Sequence, residues 1–135
     1  MISVALGVVV GCWRKDWKTG LLISYLFFLL TETVLIRKPE TIRYELVPFW
    51  SWSRPEHHAQ ILANILMFTP VGLLLGKLGW KVVLWATGIS VVIELTQLIS
   101  RRGLFEFDDI IHNTLGAVIG FGIYGLLKRV KKDDF

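Results

Sequence analysis

Four predominantly apolar runs, each close to the length a helix needs to cross a bilayer, constrain this chain more than any other feature. They are Thr19 to Ile36, Ile61 to Gly79, Lys81 to Ile99 and Asp108 to Leu127, and about 20 residues of helix span a hydrocarbon core of roughly 30 Å. Backbone groups in hydrocarbon have no water to pair with, so runs of this kind must close their hydrogen bonds internally, as helices do. The expected fold is all-α: a polytopic transmembrane helix bundle with four core spans plus a short N-terminal apolar helix. Composition agrees, with 53% hydrophobic and 19% charged residues against about 25% charged in ordinary globular chains. A single cysteine, Cys12, excludes a disulfide-stapled scaffold.

Three zones follow. Residues 1–18 form an apolar segment with an interface anchor, residues 19–127 the transmembrane domain, and residues 128–135 a basic tail. Met1 to Cys12 covers only about 18 Å as helix, which leaves a short or tilted fifth helix, an interfacial segment, or a lipid-modified Cys12 after Val9-Val10-Gly11. The last lacks the Lys or Arg that opens a signal peptide. Trp13 and Trp17 beside Arg14, Lys15 and Lys18 read as the anchor.

The net charge of +4 does not point to nucleic acid, because the basic residues sit between spans and in the tail, where lipid headgroups explain them. Summed by side, Arg14, Lys15, Lys18, Lys77, Lys81 and the tail residues Lys128, Arg129, Lys131 and Lys132 make nine. Arg37, Lys38, Arg43, Arg54, Arg101 and Arg102 on the other side make six. The asymmetry expects a cell-membrane protein with its C-terminus in the cytoplasm. The connection from Arg37 to Gln60 is long and rich in aromatic residues, among them Phe49, Trp50 and Trp52, so it reads as a segment at headgroup level or folded back between helices.

Polar residues inside spans cost at least about 2.5 kcal/mol for a charge at mid-bilayer, so each needs a partner or a task. Glu94 and Gln97, with Arg101 beyond them, fall on one helical stripe, and Asp109, His112 and Asn113 on another. Asn64 and Glu32 join them. All lie near the same end of their helices, the end away from the tail, which predicts one polar pocket under the 100–107 loop, with Arg37, Arg43, Arg101 and Arg102 at its rim. Asn64, Gln97 and Asn113 also fit a second description, as interhelical hydrogen bonds worth about 0.6 kcal/mol each. Asp108 and Asp109 also suit a helix N-terminus. Glycines four apart, Gly72 with Gly76 and Gly116 with Gly120, offer close helix contact within the bundle or between copies in a homo-oligomer. Pro70 is expected to kink its helix.

Ile93-Glu94-Leu95-Thr96-Gln97-Leu98, Arg102-Gly103-Leu104-Phe105-Glu106-Phe107-Asp108-Asp109 and Asn113-Thr114-Leu115-Gly116 with Gly120, preceded by Asn64 to Gly72 and Leu46-Val47-Pro48-Phe49, resemble the VanZ-like membrane family over about residues 46–120. That family usually carries Asp where this chain has Glu106. The resemblance implies a multi-pass membrane protein of the cell envelope, connected with resistance to the glycopeptide teicoplanin.

Two functional readings stand side by side. In one, the pocket binds membrane lipids or a lipid-linked envelope precursor, with Asn64, Gln97, Arg101, Arg102, Asn113 and Arg43 as binding residues. In the other, Glu94 and Asp109 are catalytic on a phosphorylated or lipid-linked substrate, with arginines gripping phosphate. No metal ligands are assigned, the cofactor is left open, and none of the usual hydrolase or P-loop patterns is present.

Overall fold

The computed structural model describes residues 17–39, 41 and 44–133. Among these residues four helices run alternately up and down: α1 (Trp17–Leu30), α2 (His58–Leu74), α3 (Lys81–Ser100) and α4 (Phe107–Asp133). Both the opening apolar segment and Arg43 lie outside the described residues.

Among the described residues three helical stretches are long and apolar enough to cross a membrane: Trp17–Leu35, Lys81–Ser100 and Phe107–Lys132. The fourth expected span differs in form. Helix α2 has 17 residues, about 26 Å at 1.5 Å per residue, and is followed by a tight turn at Gly76–Leu78. It continues through Pro70 without a break in the helix. The burial pattern is that of a protein in lipid: Asn64, Glu94, Gln97, Asp108, Asp109, His112 and Asn113 are buried, while Leu62, Leu66, Leu84, Trp85, Val92, Ile99 and Leu126 are exposed. A water-soluble bundle would invert that arrangement.

Helices α2 and α4 are the most closely packed pair. The glycines explain why. A Cβ at Gly72, Gly116 or Gly120 would run into the backbone of Ala117, Ile65 or Thr69 respectively, and one at Gly76 into the Tyr124 ring. Side chains are absent where the backbones touch, so dispersion and backbone contacts hold the pair where lipid offers no hydrophobic drive. Helix α3 joins α4 through Asn113 Nδ2 donating to Ser90 Oγ at 2.8 Å and the Thr87 and Thr114 hydroxyls at 3.0 Å. Tyr25 ties α1 to α2 by donating to the Met67 carbonyl at 2.6 Å.

At the end of the bundle where α1 finishes, the helix widens over Thr31–Leu35, with Ile36 N–H donating to the Thr31 carbonyl five residues back. The Thr31 and Thr33 hydroxyls bond to carbonyls one turn earlier, at Phe27 and Leu29. Widened turns of this type recur at functional sites. At the same end a two-residue parallel ladder joins β1 (Tyr44–Glu45) to β2 (Phe105–Glu106), with Tyr44 opposite Phe105 and Glu45 opposite Glu106. A bridge between Pro39 and Arg102 lies beside it. These pairings draw the long loop and the 101–106 connection together over the polar ends of the helices.

Candidate functional site

Helix α4 opens with two adjacent acids that face different ways. Asp108 turns to the aromatic loop and accepts hydrogen bonds from Phe49 N–H, Ser51 N–H and the Ser51 hydroxyl, the last at 2.6 Å. Phe49 takes a left-handed backbone, φ 61°, unusual for an aromatic residue, and the Asp108 carboxylate gathers the amides on either side of that bend. Asp108 therefore holds the loop, a role its position at a helix N-terminus did not reveal.

Asp109 turns inward. Asn64 donates to its Oδ1 at 2.7 Å, and the Arg37 guanidinium stands 3.8 Å from its Oδ2. Gln60 Nε2 lies 3.4 Å from Asp109 Oδ1 and 3.4 Å from both carboxylate oxygens of Glu106. One amide nitrogen is thus shared between two carboxylates from different elements. Glu94, on α3, accepts the Glu106 backbone N–H at 3.0 Å. Glu94, Glu106 and Asp109 form one acidic cluster, supplied by α3, β2 and α4 and faced by α2 through Gln60 and Asn64.

The cluster is deep. Glu94 is 1% exposed, Asp109 3% and Glu106 5%, while Gln60 and the Arg37 side chain, the latter at 28%, are partly exposed. Burial pushes the Glu106 carboxyl up from its ordinary value and Asp108 adds to this, while Gln60, Arg37 and His57 pull against it. Among the described residues one guanidinium stands against three buried acids, which leaves hydrogen-bond acceptors in excess over donors.

The other expected site residues separate from the cluster. Gln97 donates to the Thr33 carbonyl at 3.0 Å, on the widened turn of α1, and its Oε1 is buried without a partner among the described residues. Asn113 sits deeper, on Ser90, as interhelical glue. Glu32 is exposed and does not enter the cluster. Arg101 is exposed and left-handed, φ 57°, because α3 ends at Ser100. The helical stripe that aligned it with Glu94 stops one residue short of it. Arg102 is exposed and donates to the Leu35 carbonyl at 2.9 Å. Arg37 supplies the guanidinium instead.

Three contacts tie the aromatic loop to its histidine neighbours. Trp52 donates to His112 Nε2 at 2.6 Å, so the imidazole proton resides on Nδ1, which is buried and without a partner among the described residues. His58 contacts the Trp52 carbonyl and His57 packs its ring against Trp50. Among the described residues no group of three or more His, Cys, Asp or Glu has an arrangement that would hold a metal ion.

Sequence reasoning undervalued Gln60, a polar residue in the opening turn of a helix like many others, and Arg37, placed at the rim with three other arginines. The only available signal for Arg37 was its position directly after the first span, at the same end as the buried acids.

The family model described as VanZ/LLP1 matches residues 17–128, which takes in all four helices except the end of α4. No curated protein and no solved structure matches the chain.

Proposed function

From the premise that this chain belongs to the VanZ/LLP1 family, we propose that it is a membrane-embedded binding protein whose acidic cluster receives the headgroup of an amphiphilic or lipid-linked cell-envelope molecule. The observation that carries this reading is the convergence of Glu94, Glu106 and Asp109 from three elements onto one buried position, with a single guanidinium beside them among the described residues. Burying acids costs several kcal/mol per ion, and a fold that only needed interhelical glue has cheaper means, such as the Asn113 and Ser90 pair.

The surplus of acceptors favours a headgroup rich in donors, a hydroxyl-bearing or ammonium-bearing group, with Arg37 as the anchor for any anionic part. A phosphate gripped by several arginines is less well served, since Arg101 and Arg102 are engaged or turned elsewhere. The nine-to-six distribution of basic residues supports placing the cluster at the outer leaflet and the tail in the cytoplasm. Resistance to teicoplanin, itself an amphiphilic glycopeptide, would act through this same pocket.

Native mass spectrometry of the protein extracted in mild detergent tests the reading. Wild type is expected to retain an amphiphile, and Glu94→Gln or Asp109→Asn to retain about tenfold less, as loss of one charge-assisted hydrogen bond predicts, with no fall in melting temperature. Equal retention by all three proteins rejects the headgroup site. Orientation is tested separately by a single cysteine at Ser53, in a protein with Cys12 replaced. It should react with an impermeant thiol reagent in intact cells.

A second reading, catalysis by Glu94 and Asp109, draws on the amide shared between Glu106 and Asp109. A carboxyl beside a carboxylate is the usual ground for acid–base work. A change in mass of the retained amphiphile on incubation, abolished by Asp109→Asn, would favour it over binding alone.

A further inference from the structure

Between α1 and α3 runs a groove of about 410 Å³, walled by Leu26, Leu29 and Leu30 on one side and by Trp85, Gly88 and Ile93 on the other. Both walls belong to stretches able to span the membrane, so the medium outside the groove is hydrocarbon. Along α3 the walls extend from Trp85 to Ile93, about 12 Å at 1.5 Å per residue. One leaflet's share of a 30 Å hydrocarbon core is about 15 Å. The groove therefore has the depth of a single leaflet.

Its upper end, at Ile93, lies just below the level of the candidate headgroup site along α3. Ile93 is followed directly by Glu94, whose carboxylate accepts the Glu106 N–H. One turn above Leu29 and Ile93 stand Thr33 and Gln97, joined by the amide-to-carbonyl hydrogen bond. The remaining Gln97 oxygen is buried and unpartnered among the described residues, and it lies close to Gly103, against which Arg37 also packs. Gln97 thus stands between the apolar groove and the charged cluster with an acceptor to spare.

Gly88 shows what the groove is shaped for. A Cβ there would meet nothing within 4 Å, in contrast to Gly72, Gly76, Gly116 and Gly120, whose missing side chains admit a neighbouring helix. Nor is Gly88 part of a small-residue stripe, since Leu84 and Val92 flank it at helical spacing. A helix docking here would need small residues four apart. A single notch between bulky side chains suits a flexible chain instead.

We infer that the groove between α1 and α3 holds one hydrocarbon tail of the same amphiphile whose headgroup meets Glu94, Glu106 and Asp109. This inference rests on the headgroup reading above. A tail gains little by leaving bilayer hydrocarbon for a protein groove, so the groove contributes registration and choice of tail more than affinity. Filling it should accordingly cost less than disarming the cluster.

The test uses the full chain in its native membrane. With p-benzoylphenylalanine at Gly88, irradiation should yield a lipid adduct identifiable by mass. Gly88→Trp, and Gly88→Leu as the milder filling, should retain about fivefold less amphiphile in native mass spectrometry while keeping the melting temperature. A photoadduct to residues 1–16 or to a second copy of the chain overturns the inference. So does unchanged retention in both Gly88 variants while Glu94→Gln still releases the amphiphile, a result that leaves the headgroup reading standing. Unchanged retention in Glu94→Gln overturns both, because the tail is then not that of a ligand held by the cluster.

Discussion

Two halves of one helix pair, α2 against α4, are built on opposite physical principles. Toward the chain's tail, Gly72, Gly76, Gly116 and Gly120 remove side chains so that backbones meet. Toward the loops, Gln60 and Asn64 face Asp109 across the same pair and fill the space with hydrogen bonds and charge. A membrane bundle that wanted only cohesion would extend the first solution along its whole length, since close packing of small residues carries no desolvation cost. The change to buried acids at one end is where function departs from stability. The two halves should then respond to mutation in different ways.

The largest effect is expected in the glycine half. Gly120→Leu places side-chain atoms where the Thr69 carbonyl and Leu73 N–H already lie, and both obstacles are backbone. Overpacking of this severity costs about 3 kcal/mol or more, and the purified protein should melt roughly ten degrees lower or fail to form a single species in detergent. Gly88→Leu, an equal gain in volume into open space, should melt within a few degrees of wild type. Equal losses in the two variants would show that helix propensity, rather than interhelical contact, explains the glycines.

At the opposite end, Asp108→Ala strands the Phe49 and Ser51 amides and the Ser51 hydroxyl in one step. Leaving buried donors unmet costs about 1–3 kcal/mol. The loss should be local: faster hydrogen exchange at 49–53, with helix protection elsewhere retained. Unchanged exchange at Phe49 and Ser51 would remove Asp108 from its place as the anchor of the aromatic loop.

A finer comparison separates site from glue among residues of one type. Asn64→Ala and Asn113→Ala each delete a buried amide, and each should lower stability by about 0.6 kcal/mol. Only Asn64 touches Asp109; Asn113 ends on Ser90. Amphiphile retention should therefore fall in the first variant and persist in the second. Parallel behaviour of both in native mass spectrometry would merge the cluster with the general packing of the bundle.

How much of this could be read in the sequence depended on the kind of signal. Glu94, Asp109 and Asn64 announced themselves as polar residues in apolar runs at one common depth, and helical spacing carries such information faithfully. The four-apart glycines identified the tight helix pair for the same reason. Periodicity fails where a helix stops: Arg101 belonged to the Glu94 stripe only if α3 continued, and a left-handed residue ends it there. It fails also where long-range pairing decides the outcome. Asp108 reaches Ser51 across 57 residues of chain, and Trp52 reaches His112 across 60, distances over which no local pattern speaks. Arg37 depends on both, since the widened turn at Thr31–Leu35 and the Pro39 bridge to Arg102 set where the chain leaves α1.

The smallest expected effect concerns Glu106, the acid that lies in the connection and not in a membrane span. Burial and the nearby Asp108 raise its carboxyl above the ordinary range, and Gln60, Arg37 and His57 only partly offset this. A carboxyl whose proton is held more tightly when folded contributes stability below the ordinary glutamate value, about 4.3, and loses that contribution as pH rises through the folded value. Melting temperature in detergent should decline over a window that begins near that ordinary value and extends upward. Glu106→Gln should flatten the decline by removing the titration while leaving an amide in place of the carboxyl beside Gln60. Stability that instead rises across the window in wild type, or a slope untouched by the substitution, would mean that Arg37 and Gln60 outweigh burial. Glu106 would then belong with the satisfied ion pairs, and the acid-rich half of the bundle would lose one of the three acids that set it apart from the glycine half.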